Sequence, residues 1–454
     1  MQPKATFLTG SILKHVITMS ATNAIGLSAI FMVDLVDIYF ISLLQNNAYT
    51  AAIGYASAIL FFTTAISIGL TTANSAIVSK HIARNNRENA RQYVSHISIF
   101  ALITTSFIAV VVWLTAPLLL SSIGAQGEEL AAATSYLRII IPSLPVLALS
   151  MQMSATLRSL GNAKHAMYVT LLAGVINAVL DPIFIFLLAL DLQGAAIASV
   201  IARSGALALS VFYILFKYKM LGRPKILDFQ YDAKKIASIA CPAMLTQIAT
   251  PIGNLYVTYE VAKFGTAAIA GWAIIGRVIP VAFGMMFAVS GAIGPIIGQN
   301  YGVNNFDRLR AILIESIKFI TAYCLVISLL LSLGQEFIVN TFNAKNETAQ
   351  IIRIFCQHIS ITFIFTGITF IAMAFLNNLS YAKYATLLNL GKVTLGTMPF
   401  VTIGSYYFAA PGILYGQALG TIIFALIALL VTKHVMKRIE NKDKLKNNDQ
   451  YSSN

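Results

Sequence analysis

The chain has 454 residues, of which 57% are hydrophobic and only 11% are charged, and its mean hydropathy is +0.77. Because so few charged residues cannot cover a water-soluble surface, the composition excludes a soluble globular protein and indicates a membrane protein. The formal net charge of +14 would also suit nucleic-acid binding. However, the cations are scattered among short loops rather than gathered on one face, and we expect no nucleic-acid partner.

Twelve apolar segments are long enough to cross a bilayer, which takes about 20 helical residues. We therefore predict an all-α polytopic membrane protein with twelve transmembrane helices in two six-helix lobes. The predicted domains are an N-lobe at 1–216, a cytoplasmic linker at 217–235, a C-lobe at 236–438 and a disordered cytoplasmic tail at 439–454. The predicted spans lie near 14–43, 51–79, 93–121, 130–157, 165–190, 193–216, 236–262, 266–297, 311–335, 350–376, 383–406 and 411–433.

The charges of the loops predict the orientation of the chain. Loops on one side carry most of the lysines and arginines, as in the stretches 80–91, 217–235 and 433–446. Loops on the other side carry acids such as Glu128 and Glu129 and few cations. This positive-inside pattern predicts a multi-pass protein of the inner (plasma) membrane with both termini in the cytoplasm.

Polar side chains in four of the first six predicted spans indicate a site inside the membrane. Asp37 and Asp181 lie within the first and fifth spans. A carboxylate at that depth costs about 2.5–3.5 kcal/mol on insertion scales and usually binds an ion, a proton or a polar substrate. Asn177 lies one turn from Asp181 on the same helix face. Ser199 in the sixth span and Tyr136 in the fourth lie at a similar level, in the outer half of the N-lobe.

These residue types suit either of two ions. Two neighbouring carboxylates in apolar surroundings cannot both stay ionised at low cost, so the pair can hold a proton. Carboxylate, amide and hydroxyl oxygens also suit a hard cation such as Na⁺. The acids could instead be structural, because Arg203 lies one turn from Ser199 and could pair with Asp181. Asp34 shares a face with Asp37 and is either a second proton holder or part of a local polar contact.

The chain repeats itself at one offset. Asn-Asn, an acid and Arg occur in Asn85–Arg91 and again 219 residues later in Asn304–Arg310. Since six predicted helices make each half, both halves enter the membrane in the same orientation, and the pseudo-two-fold axis runs along the membrane normal. The position equivalent to Asp181 is Phe400, and the tenth span contains no acid. Ion coupling is therefore predicted in the first half alone.

Four motifs occur in chain order, at Leu35–Phe40, Asn177–Phe186, Gly194–Ser199 and Gly298–Gly302. Together they resemble the multidrug and toxic compound extrusion (MATE) family, and the resemblance covers essentially the whole chain. It implies alternating-access transport and an N-lobe cation site at Asp37, Asn177, Asp181 and Ser199, with Tyr136 nearby. The lack of an acid in the tenth span is similar to the DinF-like branch.

The chain departs from the family pattern at two places. Ser199 stands where the family usually has Thr, a change that keeps the hydroxyl. The first span lacks the usual proline, since Ile17–Gly26 contains none. A mechanism that bends this helix at that proline is therefore not expected here.

The predicted function is secondary active multidrug efflux, in which H⁺ or Na⁺ is exchanged for amphipathic, often cationic organic compounds. We predict no enzyme activity, no cofactor, no metal site beyond a possible Na⁺ and a monomeric state in the lipid bilayer. The alternative is a lipid-linked oligosaccharide flippase of the same superfamily. A flippase should line its cleft with Arg and Lys to hold pyrophosphate, whereas here the membrane-embedded acids are the stronger signal.

Overall fold

The computed structural model describes residues 5–452. Within this range it describes the backbone but not the side chains of a few residues, which are Asp34, Leu35, Ile38, Ser42, Asn47, Ile226 and 446–452. Within this described part the chain forms helices joined by short turns, and no strand occurs. The predicted all-α class is confirmed.

Among the described residues, ten helices are long and apolar enough to cross a membrane, or eleven if the bent pair that ends at Gly302 is one span. Because the last of these, Ala382–Leu445, is broken at two non-helical residues, we name twelve helices, α1 to α12, in chain order. The last two are separated by Phe408 and Ala409, which leave helical backbone geometry. A seven-residue helix, Gln335–Thr341, lies between α9 and α10. The bounds are α1 Ile12–Ser42, α2 Asn47–Ala83, α3 Arg87–Ser122, α4 Gly127–Ser159, α5 Ala163–Leu187, α6 Asp191–Lys217, α7 Ile226–Ala262, α8 Thr266–Ala282 plus Gly284–Gly302 with a 46° bend, α9 Phe306–Leu333, α10 Asn346–Asn378, α11 382–407 and α12 410–452.

The repeated Asn-Asn pair has a structural explanation in the turns that follow α2 and α8. Asn85 and Asn304 adopt positive φ angles of 54°, a left-handed conformation that asparagine tolerates better than most residues. The next residues, Asn86 and Asn305, accept hydrogen bonds from backbone N–H groups in the first turns of α3 and α9. The motif therefore ends one helix and caps the next in both halves of the chain.

Two prolines interrupt the helices beside the predicted site. Pro142 lies in a 3₁₀ turn, Ile141–Ser143, inside α4. Pro182 directly follows Asp181 and precedes a π-helical turn, Ile183–Leu187, at the end of α5. Because proline lacks an N–H group, both places depart from the regular α-helical hydrogen-bond pattern.

The chain divides into two compact units that are not continuous in sequence. Among the described residues, the first unit contains Ile25–Met244 with residues 5–6, and the second contains Phe7–Ala24 with residues 245–452. These boundaries differ from the predicted lobes at 1–216 and 236–438, because the changes of unit fall inside α1 and α7. The predicted linker also differs, since α7 already begins at Ile226.

Side-chain contacts explain these boundaries. In the second unit, Asn23 in the first part of α1 donates a hydrogen bond to the carbonyl oxygen of Ala288, 2.8 Å away. In the first unit, Asp232 in the first part of α7 lies 2.7 Å from Nδ1 of the fully buried His96. Polar contacts made by the ends of long helices, which hydropathy does not reveal, thus assign these segments to their units.

A hydrophobic cluster in the first unit joins the helices that carry the predicted site. The cluster contains side chains from α1 to α6, among them Ile41, Leu120, Leu137, Ile185 and Ala196. It fixes the ends of α1, α5 and α6 relative to one another, one turn or more from the polar residues.

The end of the chain is helical where the sequence predicted a disordered tail from residue 439. In the second unit α12 continues to residue 452, and its described side chains make polar contacts. Glu440 lies 3.2 Å from Arg310 and 3.0 Å from Lys444, and Asn304 donates to Asp443 at 2.8 Å. The segment 439–452 contains neither Gly nor Pro, and i,i+4 charge pairs such as Glu440–Lys444 favour a helix.

Candidate cation site

Asn177 joins side chains of α1, α5 and α6 by hydrogen bonds. Its Nδ2 atom donates to Oδ2 of Asp181 at 2.7 Å and to Oδ1 of Asp37 at 3.2 Å. Its Oδ1 atom accepts a bond from the hydroxyl of Ser199 at 3.3 Å. The structure therefore brings together the four residues that the sequence grouped, with the amide at the centre.

The amide of Asn177 donates to both carboxyl groups, so Asp37 and Asp181 lie close together. Two ionised carboxylates this near each other in apolar surroundings would repel each other. The side chain of Asp181 is fully buried, whereas that of Asp37 is partly exposed. This geometry suits a pair of acids that shares one cation or proton and exchanges it through Asp37.

One oxygen of Asp181 has no partner among the residues that the structure describes. Its Oδ1 atom is buried without a hydrogen bond, while Oδ2 is bonded to Asn177. A buried acceptor without a partner loses its hydration and is unfavourable unless something binds it. The orphan oxygen is thus a position from which Asp181 could bind a proton or a hard cation.

The close contact between the end of α5 and the start of α6 depends on Gly194. A Cβ atom at this position would lie 2.6 Å from the carbonyl oxygen of Phe184. Glycine therefore lets α6 begin directly against the π-helical turn of α5. This contact sets the position of Ser199 relative to Asn177.

Tyr136 belongs to the hydrophobic cluster of the first unit. Its side chain is buried, and the same cluster contains Ile185 of α5 and Ala196 of α6. Its closeness to the polar set and its role in ion binding stay predictions.

The sequence offered Arg203 and Asp34 as residues that could support the site, and the structure describes the contacts of Arg203 only. Arg203 donates to the hydroxyl of Ser143 at 2.8 Å and to the carbonyl oxygen of Ile140 at 3.5 Å. The 3₁₀ turn around Pro142 presents these acceptors, so the guanidinium extends toward α4. Ser143 was missed by the sequence reasoning, although the Ile-Pro-Ser interruption inside a span could have indicated it. The side chain of Asp34 lies outside the described ones.

In the second unit, hydroxyl and amide groups connect the equivalent helices, α7 and α11. The hydroxyl groups of Tyr256 and Thr402 are 2.5 Å apart, and Asn389 donates to the carbonyl oxygen of Thr246 at 2.5 Å. Gly396 and Phe400 occupy the positions equivalent to Asn177 and Asp181. The acid pair thus has no counterpart at the 219-residue offset.

Comparison with known families decides the identity of the fold. The MatE family model matches the chain twice, over residues 24–183 and 242–403. The chain belongs to the MATE family. The second match begins and ends about 219 residues after the first, which is the offset of the repeated Asn-Asn motif. This MATE chain is therefore built from two copies of one unit.

Relatives of this MATE chain are transporters rather than enzymes. It is 24% identical over 446 residues to "FAD transporter" of Shewanella oneidensis, covering 97% of this chain and 98% of the relative. It is 25% identical over 445 residues to "Multidrug export protein MepA" of Staphylococcus haemolyticus, covering 95% and 96% of the two chains. The crystal structure of the Vibrio cholerae MATE transporter VcmN in the bent form superimposes with a TM-score of 0.90 at 25% identity, covering 95% and 98%. The protein is therefore a multi-pass MATE-type efflux transporter with the twelve-helix, two-lobe fold.

Proposed function

We propose that this transporter exports amphipathic organic compounds in exchange for a cation bound by Asp37, Asn177, Asp181 and Ser199. The two carboxyl groups that Asn177 bonds inside apolar helices carry the proposal. The family and the export role of a relative support the direction of transport. We further propose that the transporter is a monomer in the inner membrane with both termini in the cytoplasm, as the loop charges predict.

Loading and unloading the pair would change the balance between transporter states. With a bound cation the two carboxyl groups attract it together, and Asn177 bridges them. Without it, two negative charges would repel each other in a medium of low dielectric constant. A state that brings α1 and α5 together is then favoured by the cation, and this differential interaction is what coupling requires.

The orientation of Asn177 supports a proton as the coupling ion. The amide directs its N–H group, rather than its oxygen, toward both carboxyl groups. An N–H donor bonds to the oxygens of a carboxyl group but cannot coordinate a metal cation. Na⁺ would need the amide oxygen there, so its binding would require the side chain to turn over.

Transport in proteoliposomes tests the proposal. Export of a fluorescent cationic dye is measured with an imposed pH gradient, with an imposed Na⁺ gradient, and with neither. We expect the pH gradient to drive transport, and we expect Asp181→Asn to abolish the effect of the gradient. Equal transport in the presence and absence of both gradients would contradict a cation-coupled exporter.

A second candidate is the export of anionic aromatic compounds such as flavin nucleotides. Lys392 lies ten residues after the start of α11 and is partly buried in the second unit. None of the ion pairs among the described residues includes its ammonium group. An unpaired cation within a span is by default a candidate binding group. The relative named as an FAD transporter also favours this class.

Flavins distinguish the two candidates, because FAD and riboflavin share a ring system and differ in the diphosphate. We expect an anion exporter to transport FAD faster than riboflavin, and Lys392→Gln to remove this preference. Lys383→Gln changes an exposed lysine near the start of the same helix and serves as the control. Transport of cationic dyes without transport of either flavin would eliminate this candidate.

A further inference from the structure

A surface groove lies between α3 and α4 in the first unit, outside the hydrogen-bonded set described above. Its volume is about 570 Å³, and its lining includes Trp113, Leu130, Thr134, Ser135, Arg138 and Ile139. Both helices belong to the same compact unit and pack against each other. The groove is therefore a feature of this unit itself.

The groove lies at the boundary between hydrocarbon and head groups. Helix α3 has 36 residues and a length of about 54 Å, which exceeds the hydrocarbon thickness of about 30 Å by about 12 Å at each end. Trp113 lies nine residues before the end of α3, and Arg138 lies eleven residues after the start of α4, so both are about 14–17 Å from the connecting turn. Tryptophan is enriched at this boundary, and the lipid phosphates lie just beyond it.

Arg138 carries a charge that no described side chain neutralises. Its guanidinium lies over the ring of Trp113, 5.2 Å from the centroid, and its side chain is exposed. None of the ion pairs in the described part of the chain includes it. A cation at the edge of the hydrocarbon is unfavourable unless an anion accompanies it, and the planar guanidinium binds phosphate in a bidentate manner.

The surroundings of Arg138 suit the remaining parts of a phospholipid. Ser135, one turn before Arg138, accepts a hydrogen bond from Gln193 at 3.0 Å, so its own hydroxyl hydrogen can be donated to a phosphate oxygen. Exposed apolar side chains continue from the groove along α3 toward the middle of the membrane, where acyl chains lie. They are Leu114, Val110, Phe107 and Ile103, which are 58–70% exposed.

We propose that this groove binds one anionic phospholipid, with Arg138 holding its phosphate group and α3 supporting an acyl chain. A lipid with net negative charge supplies the missing counter-charge, whereas a zwitterionic lipid brings its own ammonium group. In the proposed orientation the lipid comes from the outer leaflet. The opposite face of α4 carries Tyr136 and Leu137 of the hydrophobic cluster, so the bound lipid would lie one helix away from the candidate cation site.

Tryptophan fluorescence tests the site directly, because the chain has two tryptophans. Trp272 donates one hydrogen bond to Thr258 in the second unit, and Trp272→Phe leaves Trp113 as the single reporter. This variant is reconstituted in vesicles that contain either brominated phosphatidylglycerol or brominated phosphatidylcholine, whose bromine atoms quench tryptophan on contact. From the quenching of Trp113 we expect the anionic lipid to bind at the site about fivefold more strongly than the zwitterionic one.

Two further variants in the same background identify the anchor. Arg138→Gln should abolish the preference, so that the anionic and the zwitterionic lipid bind about equally well. The glutamine keeps polar contacts but has no charge. Lys345→Gln removes an exposed cation from the loop before α10 and should keep the full preference. Equal quenching of the Trp272→Phe variant by both lipids would overturn the proposal. A preference for the anionic lipid that survives Arg138→Gln would also overturn it. Loss of the preference upon addition of inorganic phosphate would overturn the assignment to a lipid.

Discussion

At the scale of single residues, the account depends on one amide. Asn177 contacts Asp37, Asp181 and Ser199, so it links three helices that each contribute one group. Residue type and depth were enough to predict this grouping from the sequence. The hydrogen bonds themselves were not predictable, since they depend on side-chain rotamers and on the rotation of α6 set at Gly194.

Asp37→Asn should abolish cation-coupled efflux while leaving the amount of protein in the membrane unchanged. The amide cannot take up the exchanged charge, but it fills the same volume and can still hydrogen-bond to Asn177. Drug resistance of cells and dye efflux from proteoliposomes measure the effect. Glu347→Gln, which removes a carboxylate from the first turn of α10, is the control. Undiminished export by Asp37→Asn would remove the coupling role.

Ser199→Ala should weaken the dependence on the ion more than the affinity for the exported compound. The hydroxyl contributes one hydrogen bond to Asn177, and its loss should raise the ion concentration for half-maximal transport about fivefold. Ser199→Thr keeps the hydroxyl and should behave like the native protein. A larger change in drug affinity than in ion dependence would argue against this position in the site.

At the scale of helices, hydropathy predicted the spans well, because each helix must present an apolar surface about 30 Å long to the hydrocarbon. The repeated Asn-Asn turns were visible as a motif before their geometry was known. The membership of the first part of α1 and of α7 was not predictable. It depends on contacts between residues far apart in sequence, such as His96 and Asp232.

Gly194→Ala should destabilise the protein and weaken its ion dependence together. The new methyl group would meet the backbone of Phe184, and overpacking of this kind costs about 1–3 kcal/mol. Thermal unfolding and ion-dependent transport are the measurements. Gly54→Ala is the matched control, because no heavy atom lies within 4 Å of the added Cβ atom there. Native transport by the Gly194→Ala variant would show that this helix contact does not position Ser199.

Asp232→Ala should lower the thermal stability without changing the choice of coupling ion. It leaves Nδ1 of the buried His96 without its partner, at a cost of about 1.5–3 kcal/mol for a bond to a charged group. Asp228→Asn, four residues earlier, alters a more exposed contact with Gln92 and should have a small effect. Equal melting temperatures for the two variants would contradict this role of the His96–Asp232 pair.

At the scale of the whole molecule, the composition indicated a membrane protein and the 219-residue repeat indicated two related halves, as the double family match confirms. The halves have diverged in chemistry: one contains the pair of acids, and the other has Gly396 and Phe400 in place of Asn177 and Asp181. A duplicated fold with this pair of acids in one half would let a single ion site serve the whole transporter.

Infrared difference spectroscopy of the purified protein tests the shared cation most directly. Carboxyl signals are compared before and after a step in pH, and again after a step in Na⁺ concentration. The proposal has both acids hold one ion, so Asp37→Asn alone and Asp181→Asn alone should each remove the whole signal of the native protein. If each variant removes only part of the signal and the two losses add, the acids bind independently and the central claim is wrong.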